Sequence, residues 1–181
     1  YKECGQLIAL IDDIMKLSRL DEGSEELSAE RVDLYDLSQK ILQELTPVAA
    51  KRGISLHMEG GRQTIQGVWR ILHEMIYNLC DNAIKYNKDG GAVTVRVTEE
   101  EDQVVVSVED TGIGISEGQQ DRVFERFYRV DKSHSRRVGG TGLGLSIVKH
   151  GAQYHNAQLS LDSEPGAGTT ITLRFPKQSA A

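Results

Sequence analysis

Two glycine-rich segments with a basic stretch between them constrain this chain more than any other feature: Asp110-Thr-Gly-Ile-Gly-Ile and Gly139-Gly-Thr-Gly-Leu-Gly-Leu. Glycine tolerates positive φ and lets a ligand come close to the backbone, so such clusters mark either tight turns or a ligand cradle. Neither cluster fits a common template. A dinucleotide fingerprint wants a third Gly or Ala where Glu117 and Leu145 stand, and a phosphate loop wants Gly-Lys-Ser/Thr, which is absent. Between the clusters, Arg126, Arg129, Lys132, Arg136 and Arg137 crowd a segment in which Asp131 is the only acid. A charge run alone is a solvated face. Bracketed by glycine motifs, residues 131–141 are expected to form a lid whose basic side chains close over phosphates.

Hydrophobic periodicity places these motifs on elements. Leu7, Leu10, Ile14 and Leu17 alternate three and four apart, a narrow seam of the kind that pairs one helix with another. The polar segment 21–28, with Gly23 and the acids Glu22, Glu25 and Glu26, reads as a linker. The expected organisation is a helical segment over 1–23, a linker over 24–30, a principal domain over 31–177 and a tail over 178–181. Asp36 or Ser38 is expected to open a helix with Ile41, Leu42, Leu45 and Val48 on one face, ending near Gly53. Ile54, Leu56 and Met58 alternate with polar residues as in a strand. A helix is predicted from about Val68 to Lys85, with Ile71, Leu72, Met75, Ile76, Leu79 and Ala83 as its buried stripe. Strands are predicted over about 92–99 and 103–110, a helix over about 143–155, and two last strands over 158–163 and 169–175. This order predicts an α+β fold, a two-layer sandwich of a mixed sheet with helices on one face.

Several residues in this frame carry chemistry. Asp110 closes a strand directly before Gly112 and Gly114, so its carboxylate is placed to accept a hydrogen bond from an exocyclic amine, which selects adenine over guanine; a plain turn aspartate is the other reading. Asn78 and Asn82 are four apart and share a helix face, with Lys85 and Tyr86 a turn further on. An asparagine carbonyl is a hard oxygen ligand suited to magnesium, although a mid-helix Asn is also commonly just an exposed polar group. The second glycine cluster precedes a helix, so its free amides and the helix dipole make an anion site.

Together these motifs resemble the histidine kinases of two-component systems, whose nucleotide fold is shared with gyrase-type ATPases, Hsp90 and MutL. The stretch Asn78-Leu-Cys-Asp-Asn82-Ala-Ile-Lys85-Tyr86 is similar to that family's N box, Asp110-Thr-Gly-Ile-Gly to its first glycine box, Phe124-Glu-Arg-Phe127-Tyr-Arg129 to its F box, Gly140-Thr-Gly-Leu-Gly-Leu to its second glycine box, and Gly166-Ala-Gly-Thr-Thr to the glycine turn that follows. Leu17-Ser-Arg-Leu20 resembles the end of the second helix of its dimerisation hairpin, and the chain resembles the phosphate-sensor type of membrane kinase. The resemblance implies a Bergerat-type ATP-binding domain with ATP and Mg2+ as ligands. Asn82 would bind magnesium with Asn78 nearby, Lys85 would contact phosphate, Tyr86 would line the adenine pocket beside Gly112 and Gly114, and Asp110 would hold the adenine amine. Arg129 would approach the terminal phosphate, Gly140, Thr141, Gly142, Leu143 and Gly144 would cradle the phosphates, and Glu74 would help orient the site. It also implies a homodimer through the phosphoacceptor helices, a response regulator downstream, and a cytoplasmic location as part of a membrane-anchored bacterial sensor.

One position separates kinase from ATPase. In the gyrase-like branch a glutamate at the position of Asn78 acts as general base on water, and an amide lacks that basicity. The phosphoryl group is then kept for a histidine, with catalysis resting on positioning and charge neutralisation. That histidine is not among His57, His73, His134, His150 and His155: the family's acceptor is followed by an acid and, shortly after, by proline, and His73-Glu74-Met75 starts that way only within the N-box helix. The chain therefore reads as a fragment of a longer protein. Gly151 stands where the family usually has an aliphatic residue, and a mid-helix glycine costs roughly 0.5–1 kcal/mol relative to Ala, so looseness is expected there.

Bulk properties narrow the remaining classes. The 181 residues suffice for one domain with an appendage, and the net charge of −6 argues against a general nucleic-acid surface. Cys4 and Cys80 are far apart and outside metal-ligand spacing, so both are expected to be reduced. No run approaches the roughly 18 apolar residues of a membrane span, so no membrane contact is expected of this chain.

Overall fold

The computed structural model of the chain describes residues 28–130 and 141–177, together with the isolated helical positions Ile11, Ile14, Met15 and Ser18. The remaining seam residues Leu7, Leu10 and Leu17, the boundary near Gly23, the segment 131–140 with Gly140 and His134, and the tail 178–181 lie outside the described residues.

The elements run β1 (Glu30–Asp33), α1 (Leu34–Ala50), β2 (Ser55–Gly60), β3 (Thr64–Gly67), α2 (Trp69–Lys85), β4 (Ala92–Glu100), β5 (Gln103–Asp110), a single turn α3 (Glu117–Gln120), α4 (Gly144–Tyr154), β6 (Gln158–Glu164) and β7 (Gly168–Pro176). The main sheet has the order β2-β4-β5-β7-β6. Only β2 and β4 pair in parallel. Period-two alternation decides which side is covered. Val95 lies opposite Val108 and Val97 opposite Val106, which in turn face Ile171 and Leu173 across β7; all six are buried. The intervening Arg96 and Arg174 lie on the opposite, solvated face, where they pair with Glu59, Glu109 and Glu100. Helices α1, α2 and α4 cover the apolar face through Leu45, Leu72, Met75, Ile76, Leu79 and Val148, the two-layer α+β sandwich expected from the sequence.

Local chemistry sets the element ends. Asp33, rather than Asp36 or Ser38, caps α1: its carboxylate accepts from the amides of Tyr35 and Asp36. Ser38 is buried and donates to the Leu34 carbonyl instead. The stripe of α1 ends in Ala49, four residues after Leu45, while Val48 turns outward. Two short strands were not legible in the sequence. β1 and β3 form a separate antiparallel ribbon in which buried Val32 and Ile65 face each other. Four residues are too few for alternation to register.

Gly151 corrects the expectation of a loose helix. A Cβ there would lie 2.4 Å from Met75 Sδ and 3.1 Å from Ile71 Cγ2. The missing side chain is what lets α4 press against α2. At the end of α4, His155 accepts from the Val68 amide through Nε2 at 3.1 Å and bonds the Gly151 carbonyl through Nδ1 at 2.9 Å. That pairing is made by a neutral ring with its proton on Nδ1, and burial lowers the His155 pKa accordingly.

Candidate functional site

The site lies where the ends of α2 and β5 and the start of α4 converge. Asp110 is the last residue of β5 and has the parity of Val104, Val106 and Val108, so its carboxylate falls on the helix-covered face rather than the solvated one. Its Oδ1 accepts from the Gly112 amide at 2.8 Å. Burial pushes its pKa up to about 6, against the opposing effect of amide hydrogen bonds from Gly112 and Thr169. A half-buried acid so poorly compensated is ready for a donor from outside the chain.

The glycines around it are required by close backbone approach. A Cβ at Gly112 would lie 2.3 Å from the Tyr86 carbonyl oxygen, and one at Gly114, where φ is +68°, would lie 2.0 Å from the Glu164 carbonyl oxygen. Tyr86 also accepts from the Ile113 amide at 3.1 Å, so the first glycine segment is sewn to the end of α2. Two residues that sequence reasoning missed complete the seam. Asn87 is buried; its Nδ2 donates to the Ala92 carbonyl at 2.9 Å, and its Oδ1 accepts from the Thr111 hydroxyl. Thr111 Oγ1 in turn accepts from the Ala92 amide at 2.9 Å. Within Asn87-Lys-Asp-Gly the asparagine looks like an ordinary turn residue, and only the partners reveal its role.

At the other end, Asn78 and Asn82 meet the start of α4. Asn78 Nδ2 donates to the Glu74 carbonyl at 2.7 Å, which turns its Oδ1 toward α4, 2.9 Å from where a Cβ of Gly144 would stand. Glu74 thus fixes the Asn78 side chain through its backbone carbonyl. Asn82 Nδ2 is 3.7 Å from the same point, so both amides converge beneath Gly144. Lys85 pairs with Asp81 one turn back at 2.5 Å. Tyr86 caps α2.

The second glycine cluster is tied to the F box. Gly142 has φ +75°, its carbonyl accepts from the Phe127 amide at 3.0 Å, and a Cβ on it would touch Arg129 Cγ at 3.2 Å. Arg129 is thereby brought beside the cluster. Thr141 Oγ1 accepts from the Leu143 amide at 3.3 Å. Leu143 is fully buried, so its side chain anchors the turn and only its backbone remains for a ligand. Among the described residues no side chain caps the start of α4, and the first-turn amides of a helix have no partner within it.

The other sequence candidates fall elsewhere. His73 stacks between Trp69 and Tyr77 at 5.1 and 5.9 Å. His57 is exposed on β2, and His150 meets Arg126. Burial pushes the Cys80 thiol up to about 12, which makes it inert. Among the described residues no three His, Cys, Asp or Glu side chains gather to hold a metal, and no helix is long and apolar enough to cross a membrane. The side-chain amides of Asn78 and Asn82 carry hard oxygens, the donor type that suits magnesium bound largely through phosphates and water.

A partly buried acid at the end of β5 and two side-chain amides beneath Gly144 at the start of α4 are thus joined through the length of α2. Residues 67–179 match the family model described as histidine kinase-, DNA gyrase B-, and HSP90-like ATPase, and the chain belongs to that family. It is 38% identical over 177 residues to the sensor-like histidine kinase SenX3 of Mycolicibacterium smegmatis, covering 97% of this chain and 46% of that protein. It is 33% identical over 186 residues to the sensor histidine kinase WalK of Bacillus subtilis, covering 96% and 29%. The chain thus spans less than half the length of these curated relatives. Among solved structures, the mycobacterial sensor histidine kinase MprB superposes with a TM-score of 0.72 at 28% identity, over 82% of this chain and 97% of that one. Full-length ShkA in complex with AMPPNP superposes with a TM-score of 0.83 at 28% identity, over 99% and 38%.

Proposed function

We propose that this domain binds Mg-ATP and passes its γ-phosphoryl group to a histidine on dimerisation helices, as the catalytic part of a sensor histidine kinase in a two-component system. The observation that carries this reading is Asn78. Its amide is held by the Glu74 carbonyl at the phosphate end, where hydrolysis would need a base to activate water, and an amide has none to offer. The nucleophile is then a neutral imidazole nitrogen. It attacks the γ-phosphorus, the bond to the β–γ bridging oxygen breaks, and ADP leaves with that electron pair.

Each residue has a part in holding the substrate. Asp110 accepts from the adenine amine, Gly112 and Gly114 let the base approach, and Tyr86 lines its pocket. Asn82, with Asn78 beside it, holds magnesium, which supplies neutralisation of the phosphate charge. Lys85 exchanges Asp81 for phosphate, Arg129 approaches the terminal phosphate, the amides of Thr141, Gly142 and Gly144 bind phosphate oxygens, and the Leu143 amide joins them by giving up the Thr141 hydroxyl. The partners are a second copy of the kinase through its dimerisation helices and a response regulator, on the cytoplasmic side of a membrane-anchored sensor.

Calorimetric titration with Mg-ATP tests the two ends separately. Asp110→Asn keeps one acceptor oxygen for the Gly112 amide and turns the other into an NH2 donor that opposes the adenine amine, so it is expected to abolish measurable binding; undiminished affinity would rule out the adenine assignment. For Asn82→Ala, magnesium should no longer improve ATP affinity, and a metal dependence equal to the parent's would count against the metal assignment.

A further inference from the structure

Arg52 lies in the turn after α1, outside every motif of the site, yet its guanidinium reaches the end of α2. Nη1 donates to the carbonyls of Ile84 and Lys85 at 2.7 and 3.0 Å, and Nη2 donates to the Asn87 carbonyl at 2.6 Å. Nε pairs with the exposed Asp89 at 2.9 Å, a contact worth little in water. The last carbonyls of a helix have no partner within it, and here one side chain gathers two of them together with the Asn87 carbonyl beyond. A planar fork can serve three fixed acceptors at once, which an ammonium cannot do with the same geometry. The backbone repeats the link, because the Arg52 carbonyl accepts from the Gly90 amide at 2.9 Å.

These carbonyls flank the two residues on which the first glycine segment rests. Tyr86, between Lys85 and Asn87, receives the Ile113 amide and presses on Gly112. Asn87 holds Thr111, the neighbour of Asp110. We propose that Arg52 is a positioning residue for the base end of the nucleotide site: by fixing the end of α2 it sets the height of Tyr86 and Asn87, and through them the place of Asp110 and Gly112. The proposal rests on the ATP-binding reading above. Arg52 touches no ligand itself.

The test compares the parent with Arg52→Gln and Arg52→Lys at a temperature where circular dichroism shows each fully folded. ATP and ADP affinities are measured by calorimetry, and amide exchange at Gly112 and Ile113 by NMR. Arg52→Gln is expected to weaken ATP and ADP alike, on the order of three- to tenfold, and to speed Ile113 exchange. Arg52→Lys is expected to fall between, and it carries the test alone if the glutamine variant does not fold. Affinities equal to the parent's in a folded variant would reduce Arg52 to a stabilising contact and overturn the proposal. A loss confined to ATP would place its effect at the phosphate end and overturn it as well. Absence of nucleotide binding by the parent would instead sink the ATP reading.

Discussion

Asp110 stands at a position where the strand pattern asks for an apolar residue. Its neighbours of the same parity, Val104, Val106 and Val108, are buried, and the acid pays for its place through desolvation, which raises its pKa to about 6. Because the folded value lies above the ordinary one of 3.8, the folded state keeps its proton longer than the unfolded chain does. Stability from this group is therefore complete below the unfolded value and is lost as pH rises through about 6. In urea titrations of the ligand-free domain, Asp110→Asn should be more stable than the parent at pH 7, on the order of 2 kcal/mol, and the two should converge near pH 4. Residues of this kind were legible because a motif announces them: a strand end, then two glycines. Arg52, Asn87 and Thr111 were not. Their partners are mainly backbone carbonyls and amides brought close by folding, and a backbone group looks the same at every position in a sequence.

The contact between α2 and α4 shows the same limit for elements. Both helices were expected from the sequence, α2 from its periodic apolar stripe, and their bounds came out within a residue. Their distance was not, because Gly151 means loss of helix propensity when read along the chain and close approach when read across it. Met75 is completely buried and a Cβ at residue 151 would meet its Sδ at 2.4 Å, so the crossing cannot absorb a methyl group without moving. Gly151→Ala should thus destabilise the domain by about 1–3 kcal/mol in chemical denaturation despite the better helix former. A gain in stability would show that the Met75 side chain gives way without cost. A displaced α4 would carry Gly144 off the Asn78 and Asn82 amides, so ATP affinity is expected to fall in the same variant.

For the molecule as a whole, a sheet covered on one side leaves its strand ends and helix ends to make the site, which gathers around the end of the middle strand β5. Beneath the start of α4 stands Asn78, with its Nδ2 bonded to the Glu74 carbonyl, and on the proposed reading this amide occupies the place where a hydrolase needs a water-activating acid. The measurement that tests this most directly is incubation of the domain with γ-labelled ATP and separately supplied dimerisation helices of a sensor histidine kinase. Label is expected on a histidine of those helices, labile to acid and stable to base, with little free phosphate released. Steady phosphate release with no labelled histidine would contradict the account and make the domain a hydrolase.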